Sequence, residues 1–90
     1  MRGHLKIKVS GRVQGVFFRD SARRQAEKLG LTGFARNEAD GTVYIEAEGD
    51  EKNLEKFLEW CRKGPSLASV AKIELEPGGD VKNFDGFDVR

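Results

Sequence analysis

The apolar residues of this chain change period across one short run, Gly11-Arg12-Val13-Gln14-Gly15-Val16-Phe17-Phe18-Arg19. Before it, Leu5, Ile7 and Val9 alternate with His4, Lys6 and Lys8, the pattern of a half-buried strand. After it, Phe18, Ala22, Ala26 and Leu29 recur at helical spacing, and Gly30 is placed to stop that helix. The run is therefore a strand-to-helix connection. Two glycines let its backbone bend, and Arg19 closes it at the helix mouth. Such a connection gathers unpaired amide N–H groups around one point beside a fixed positive charge, which is the physics of an oxyanion or phosphate cradle.

The remaining elements limit what can surround that cradle. Residues 32–37 and 42–48 read as two strands, the second sending Val43, Ile45 and Ala47 inward, with Asp40-Gly41 between them as a hairpin signal. Asp50 suits the N-cap of a second helix, whose stripe is Leu54, Phe57, Leu58 and Cys61 and whose end is marked by Gly64-Pro65. Ala71, Ile73 and Leu75 alternate in a fourth strand, and Phe87 and Val89 suggest a short terminal one. Trp60 lies beside the second helix's stripe, as core edge or contact patch. The order β-α-β-β-α-β predicts an α+β fold, the ferredoxin-like split βαβ sandwich. Two helices pack on one face of an antiparallel sheet of four to five strands. Residues 1–90 are expected to form one domain.

Composition removes several function classes. Sixteen basic residues against fifteen acidic give a net charge of +1, less basic than a protein that lives on nucleic acid or anionic membrane. The lone Cys61 excludes an internal disulfide and any Cys-based metal cluster, and on the helix stripe it reads as a buried, inert thiol. No apolar run suggests a signal peptide or a membrane span, so cytoplasmic residence is the default expectation. No sustained apolar surface stripe marks a partner, and a monomer is expected. Walker A and the Gly-x-Gly-x-x-Gly fingerprint are absent. His4, the one histidine, sits on the polar side of the first strand as a bystander, which leaves Ser-His and Cys-His triads without a base. The carboxylates are scattered, so no metal site is expected.

Two residues stand out beside the loop. Arg19, in the first turn of a helix, is at the wrong end of the macrodipole. It is either a solvated arginine balanced by Asp20 or half of an anion clamp whose fork matches phosphate oxygens. Asn37, at the end of the second strand, either starts the turn or presents an amide able to accept from a water and donate to an oxyanion. A cradle, an arginine and an amide suit a reaction whose leaving group is already good. Expelling a carboxylate, pKa about 4, from a carboxylic–phosphoric anhydride requires no proton donor. Holding the phosphoryl group and placing a water in line behind it are enough.

The pattern Val9-x-Gly11-x-Val13-Gln14-Gly15-Val16-x-Phe18-Arg19 resembles the first signature of the acylphosphatases. Gly33-Phe34-Ala35-Arg36-Asn37, three residues, Gly41-x-Val43, five residues and Gly49 resemble the second. The resemblance covers essentially the whole chain. It implies hydrolysis of acyl phosphates to carboxylate and inorganic phosphate without cofactor or metal, by direct in-line attack of water and with no covalent intermediate. It further implies that Arg19 binds phosphate and stabilises the transition state, and that Asn37 orients the attacking water. Gln14, Gly15, Val16, Phe17 and Phe18 would give backbone amides to the cradle. Phe17 where a small residue is frequent, Phe34 where Trp is common and Ser69 where Arg is common bear on substrate preference and stability.

Two other readings share the topology. An RNA-recognition module needs aromatic residues on the open face of its first and third strands. The first strand there offers His4, Lys6 and Lys8, and the third offers Thr42, Tyr44, Glu46 and Glu48, a face expected to be exposed and to repel phosphate. A phosphate-sensing domain without activity would have no use for Asn37 as a water-orienting amide.

Overall fold

The computed structural model describes residues 1–79 and 82–90. Along the chain run β1 (Arg2–Arg12), α1 (Phe18–Lys28), β2 (Thr32–Asn37), β3 (Val43–Asp50), α2 (Glu51–Lys63), β4 (Ser69–Pro77) and β5 (Phe87–Val89). The sheet order is β4-β1-β3-β2-β5. Four strands pair antiparallel as the sequence suggests, whereas β5 runs parallel to β2, so the five-stranded sheet is mixed.

Strand alternation sorts the side chains between two faces. Ile7 and Val9 of β1 and Val43, Ile45 and Ala47 of β3 point to the helices and are fully buried. Phe18, Ala22 and Ala26 of α1 and Leu54, Phe57 and Cys61 of α2 cover them. Burying a side chain such as Phe57 is worth about 1.5–3 kcal/mol, so this layer supplies the main driving force. Trp60 is the edge of that core, its ring 5.4 Å from Phe18 and 6.1 Å from Phe57. Asp50 caps α2, its Oδ1 accepting the Lys52 N–H at 3.0 Å.

In β4 the simple alternation breaks. Ser10 pairs with Lys72 and Gly11 with Val70, so Ala71 is an extra, unpaired residue. This β-bulge turns Val70 and Ile73 toward the core and leaves Ala71 exposed. The backbones come so close there that a Cβ on Gly11 (φ 124°) would strike the Ser69 carbonyl.

The opposite face is not the exposed surface that the sequence pattern suggests. His4, Thr42, Glu46 and Glu48 are all buried. The chain beyond β4 folds back over most of them: Gly78 N–H donates to the His4 carbonyl at 2.8 Å, and the Phe84 ring meets His4 edge-on at 5.8 Å. Glu48 accepts the backbone N–H groups of Lys82 and Phe84. His4 lies between two carboxylates, 2.8 Å from Glu46 and 3.3 Å from Glu48. Burial works against the Glu46 carboxylate, but hydrogen bonds from Tyr44, His4 and Lys82 outweigh it and keep its pKa below the ordinary value.

Candidate active site

The connection between β1 and α1 is bent by alternating backbone handedness. Gly15 has φ 73° and Phe17 φ 65°, while Val16 between them keeps a negative φ. Such alternation is the backbone pattern in which successive N–H groups can converge on one side. Val13, Val16 and Phe18 are buried and pin the loop to the core. Phe17 is the N-cap of α1, and no side chain caps this helix, in contrast to α2. The first helical bond runs from Ser21 N–H to the Phe17 carbonyl at 3.0 Å. The first-turn amides and the positive end of the dipole therefore face the loop without a protein acceptor on the cap side chain.

A cavity of about 270 Å³ opens at this point, lined by the loop and α1, by Asn37 and by Val89. Arg19 and Asn37 share it. Register explains how Asn37 gets there. It pairs with Val43 and lies on the same face as Gly33 and Ala35, the side that carries the helices. Its Oδ1 is buried without a hydrogen-bond partner, on a residue that lines the cavity.

Arg19 is positioned by its Nη1, which donates to the Arg90 carbonyl at 2.7 Å. Parallel pairing of β5 with β2 brings that carbonyl into place, and the Arg90 N–H donates to Ala35 O at 2.8 Å. Asp20 also lines the cavity, yet it does not serve as the simple counter-charge of Arg19. Its Oδ1 lies 2.8 Å from Arg23 and its Oδ2 2.8 Å from Arg24. The hydrogen bond from Arg23, with help from the Arg24 charge, holds its carboxyl below the usual carboxylate range.

Of the six loop residues singled out from the sequence, Gly15, Phe17, Phe18 and Arg19 line the cavity, whereas Gln14 and Val16 do not. The Gln14 side chain reaches the other way. Its Nε2 donates to the carbonyls of Glu38 at 2.8 Å and Thr42 at 2.9 Å, tying the loop to the hairpin that follows Asn37. Val16 turns into the core. Sequence reading missed Val89 and the Arg90 carbonyl as parts of the cavity's surroundings, and the only local hint was the Phe87-x-Val89 alternation. Cys61 is buried, and burial raises its thiol pKa well above the ordinary value, which keeps it inert at neutral pH. Among the described residues, no group of three or more His, Cys, Asp or Glu side chains is placed to hold a metal ion. No described helix is long and apolar enough to cross a membrane.

The chain's likenesses to known proteins agree with one another. The acylphosphatase family model matches residues 5–89. An acylphosphatase from Nocardioides sp. is 44% identical over 90 residues, covering 100% of this chain and 90% of that protein. One from Synechococcus sp. is 47% identical over 90 residues, with 100% and 99% covered. The crystal structure of acylphosphatase from Bacillus subtilis superposes with a TM-score of 0.94 at 34% identity, covering 100% of this chain and 99% of that one.

Proposed function

The chain belongs to the acylphosphatase family and hydrolyses acyl phosphates, and we propose that it does so by direct in-line attack of water on phosphorus, with no covalent intermediate. The phosphoryl group occupies the Arg19–Asn37 cavity. The loop amides and the uncapped N-terminus of α1 hold its oxygens, and the Arg19 guanidinium neutralises the charge that develops on them. The Asn37 Oδ1 accepts a hydrogen bond from the attacking water and fixes it opposite the leaving oxygen.

As the new P–O bond forms, the P–O bond to the acyl group breaks and its electron pair leaves with the carboxylate. The water's protons remain on the phosphate product or pass to solvent. The departing acid has a pKa of about 4, so no general acid is required. The observation that carries the reading is that Arg19 and Asn37 line one cavity and that the Asn37 side chain has an oxygen without a hydrogen-bond partner. Direct attack is supported by the side chains present. Among the described residues, the one carboxylate on the cavity wall is Asp20, and both of its oxygens are committed to Arg23 and Arg24. In this reading residues 1–90 are a single catalytic domain that acts without cofactor or metal, so EDTA leaves the rate unchanged.

Benzoyl phosphate hydrolysis tests the assignment. Arg19→Ala is expected to lower kcat/KM by about 10³-fold or more. Asn37→Ala is expected to lower kcat by about 10²-fold while competition by inorganic phosphate changes little. An acyl thiophosphate made chiral at phosphorus by oxygen-isotope labelling, hydrolysed in water of the remaining isotope, should give inorganic thiophosphate of inverted configuration, and Asp20→Asn should keep turning over. Retained configuration, or a phosphorylated Asp20, would refute direct attack.

A further inference from the structure

Large apolar side chains left in water need a reason when they gather in one place. Among the described residues, Phe17 is 72% exposed, Leu67 60% and Val89 40%; Phe17 and Val89 line the phosphate cavity, and Leu67 lines the cavity next to it. Phe17 and Val89 line the cavity that contains Arg19 and Asn37. On the far side of Phe17 lies a second cavity of about 280 Å³, with Phe17, Val16, Pro65 and Leu67 on its apolar side and Asp20, Ser21, Arg24 and Ser66 on its polar side. Phe17 and Asp20 belong to both cavities and form the divide between them.

Two details make this more than a chance cluster. Phe17 holds φ 65°, a left-handed conformation that is costly for an aromatic residue. The loop thus accepts strain while leaving a phenyl ring in solvent at its lip. The charged side chains of the second cavity also pair with each other, Arg24 lying 2.8 Å from Asp20, so that space offers an incoming group no free counter-ion beside its apolar residues.

Building on the hydrolytic function proposed above, we propose that Phe17 and Leu67 are the acyl-recognition surface: with the phosphoryl group beside Arg19, the acyl group crosses the Phe17 ring toward Leu67. The preferred substrates are then acyl phosphates with aromatic or medium-chain aliphatic acyl groups, ahead of acetyl phosphate. The bond broken and the role of water are unchanged. The surface acts on the acyl part alone.

The test compares kcat/KM for benzoyl, octanoyl and acetyl phosphate in the wild type, Phe17→Asn, Phe17→Leu and Leu67→Ser. Asparagine tolerates the left-handed backbone, so Phe17→Asn removes the ring without straining the loop. The readout is the ratio between substrates, which cancels damage to the shared phosphate site. We expect the benzoyl-to-acetyl ratio to fall about tenfold in Phe17→Asn, the scale on which apolar contacts discriminate, and to recover in part in Phe17→Leu. The octanoyl-to-acetyl ratio should fall in Leu67→Ser, which lies outside the loop. Ratios that stay at the wild-type value in both Phe17→Asn and Leu67→Ser overturn the acyl surface while leaving hydrolysis intact. A wild type that cleaves none of the three substrates overturns the hydrolytic reading and this one together.

Discussion

Replacing Gln14 by leucine separates two jobs that its side chain performs at once. In the folded chain its amide nitrogen gives one hydrogen bond to Glu38 O at 2.8 Å and one to Thr42 O at 2.9 Å. Leucine of similar volume removes both donors. Neither carbonyl is stranded, because Glu38 O still receives the Gly41 N–H and Thr42 O the Glu38 N–H. The loss is therefore that of the bonds themselves, about 1 kcal/mol each and about 2 kcal/mol together. For a domain of this size that lowers Tm by about 8–16 °C, measurable by circular dichroism. The functional effect comes through Asn37, which directly precedes Glu38. With the hairpin released, its Oδ1 is held less firmly against the loop, and kcat for benzoyl phosphate should drop about tenfold, equivalent to about 1.4 kcal/mol in the barrier. Phosphate competition should move little, since Arg19 and the backbone amides of the loop are unchanged. A variant with unchanged Tm and unchanged kcat would show that the strut carries neither stability nor position.

Two further outcomes follow from groups outside the cavity. Glu48→Ala removes the acceptor of the Lys82 and Phe84 amides and leaves His4 on Glu46; it should cost about 1–3 kcal/mol in urea unfolding, and exchange at the Lys82 and Phe84 amides should accelerate. Unchanged exchange there would mean that the carboxylate does not hold the covering segment. The hydrogen bonds from the Thr42 hydroxyl and N–H, with Lys8, bring Asp40 from 3.8 down to about 2. A carboxyl lowered in the folded state contributes stability that is fully present above pH 3.8 and is lost as pH falls through about 2. Asp40→Asn should therefore flatten the fall in stability between those values, and an identical acid limb would contradict it.

The sequence is most readable where one local pattern decides. The alternation of Leu5, Ile7 and Val9 and the helical spacing of Phe18, Ala22 and Ala26 produce the elements they predict. Asp50 caps α2 and Gly64 closes it, because a cap depends on neighbouring backbone alone. Ala71 misleads because a bulge is set by the partner strand, here the glycine approach at Gly11. Glu46 and Glu48 look solvent-facing because their cover, the chain around Gly78 and Phe84, has no periodicity to announce it. Arg19 and Asn37 could be singled out by residue type and position. Their surroundings could not, since Val89, the Arg90 carbonyl and the Gln14 strut meet them only across the finished sheet.

That last dependence bears on how the molecule comes to work at all. Val13 near the start of the chain and Val89 near its far end wall the same cavity, and between them every strand must already have found its neighbour. Strand pairings so distant in sequence form late, after the entropic cost of long loops has been met. A refolding chain can regain its helices early and still be catalytically silent, so returning turnover reports the seating of three residues at the sheet's margin, Phe87–Val89.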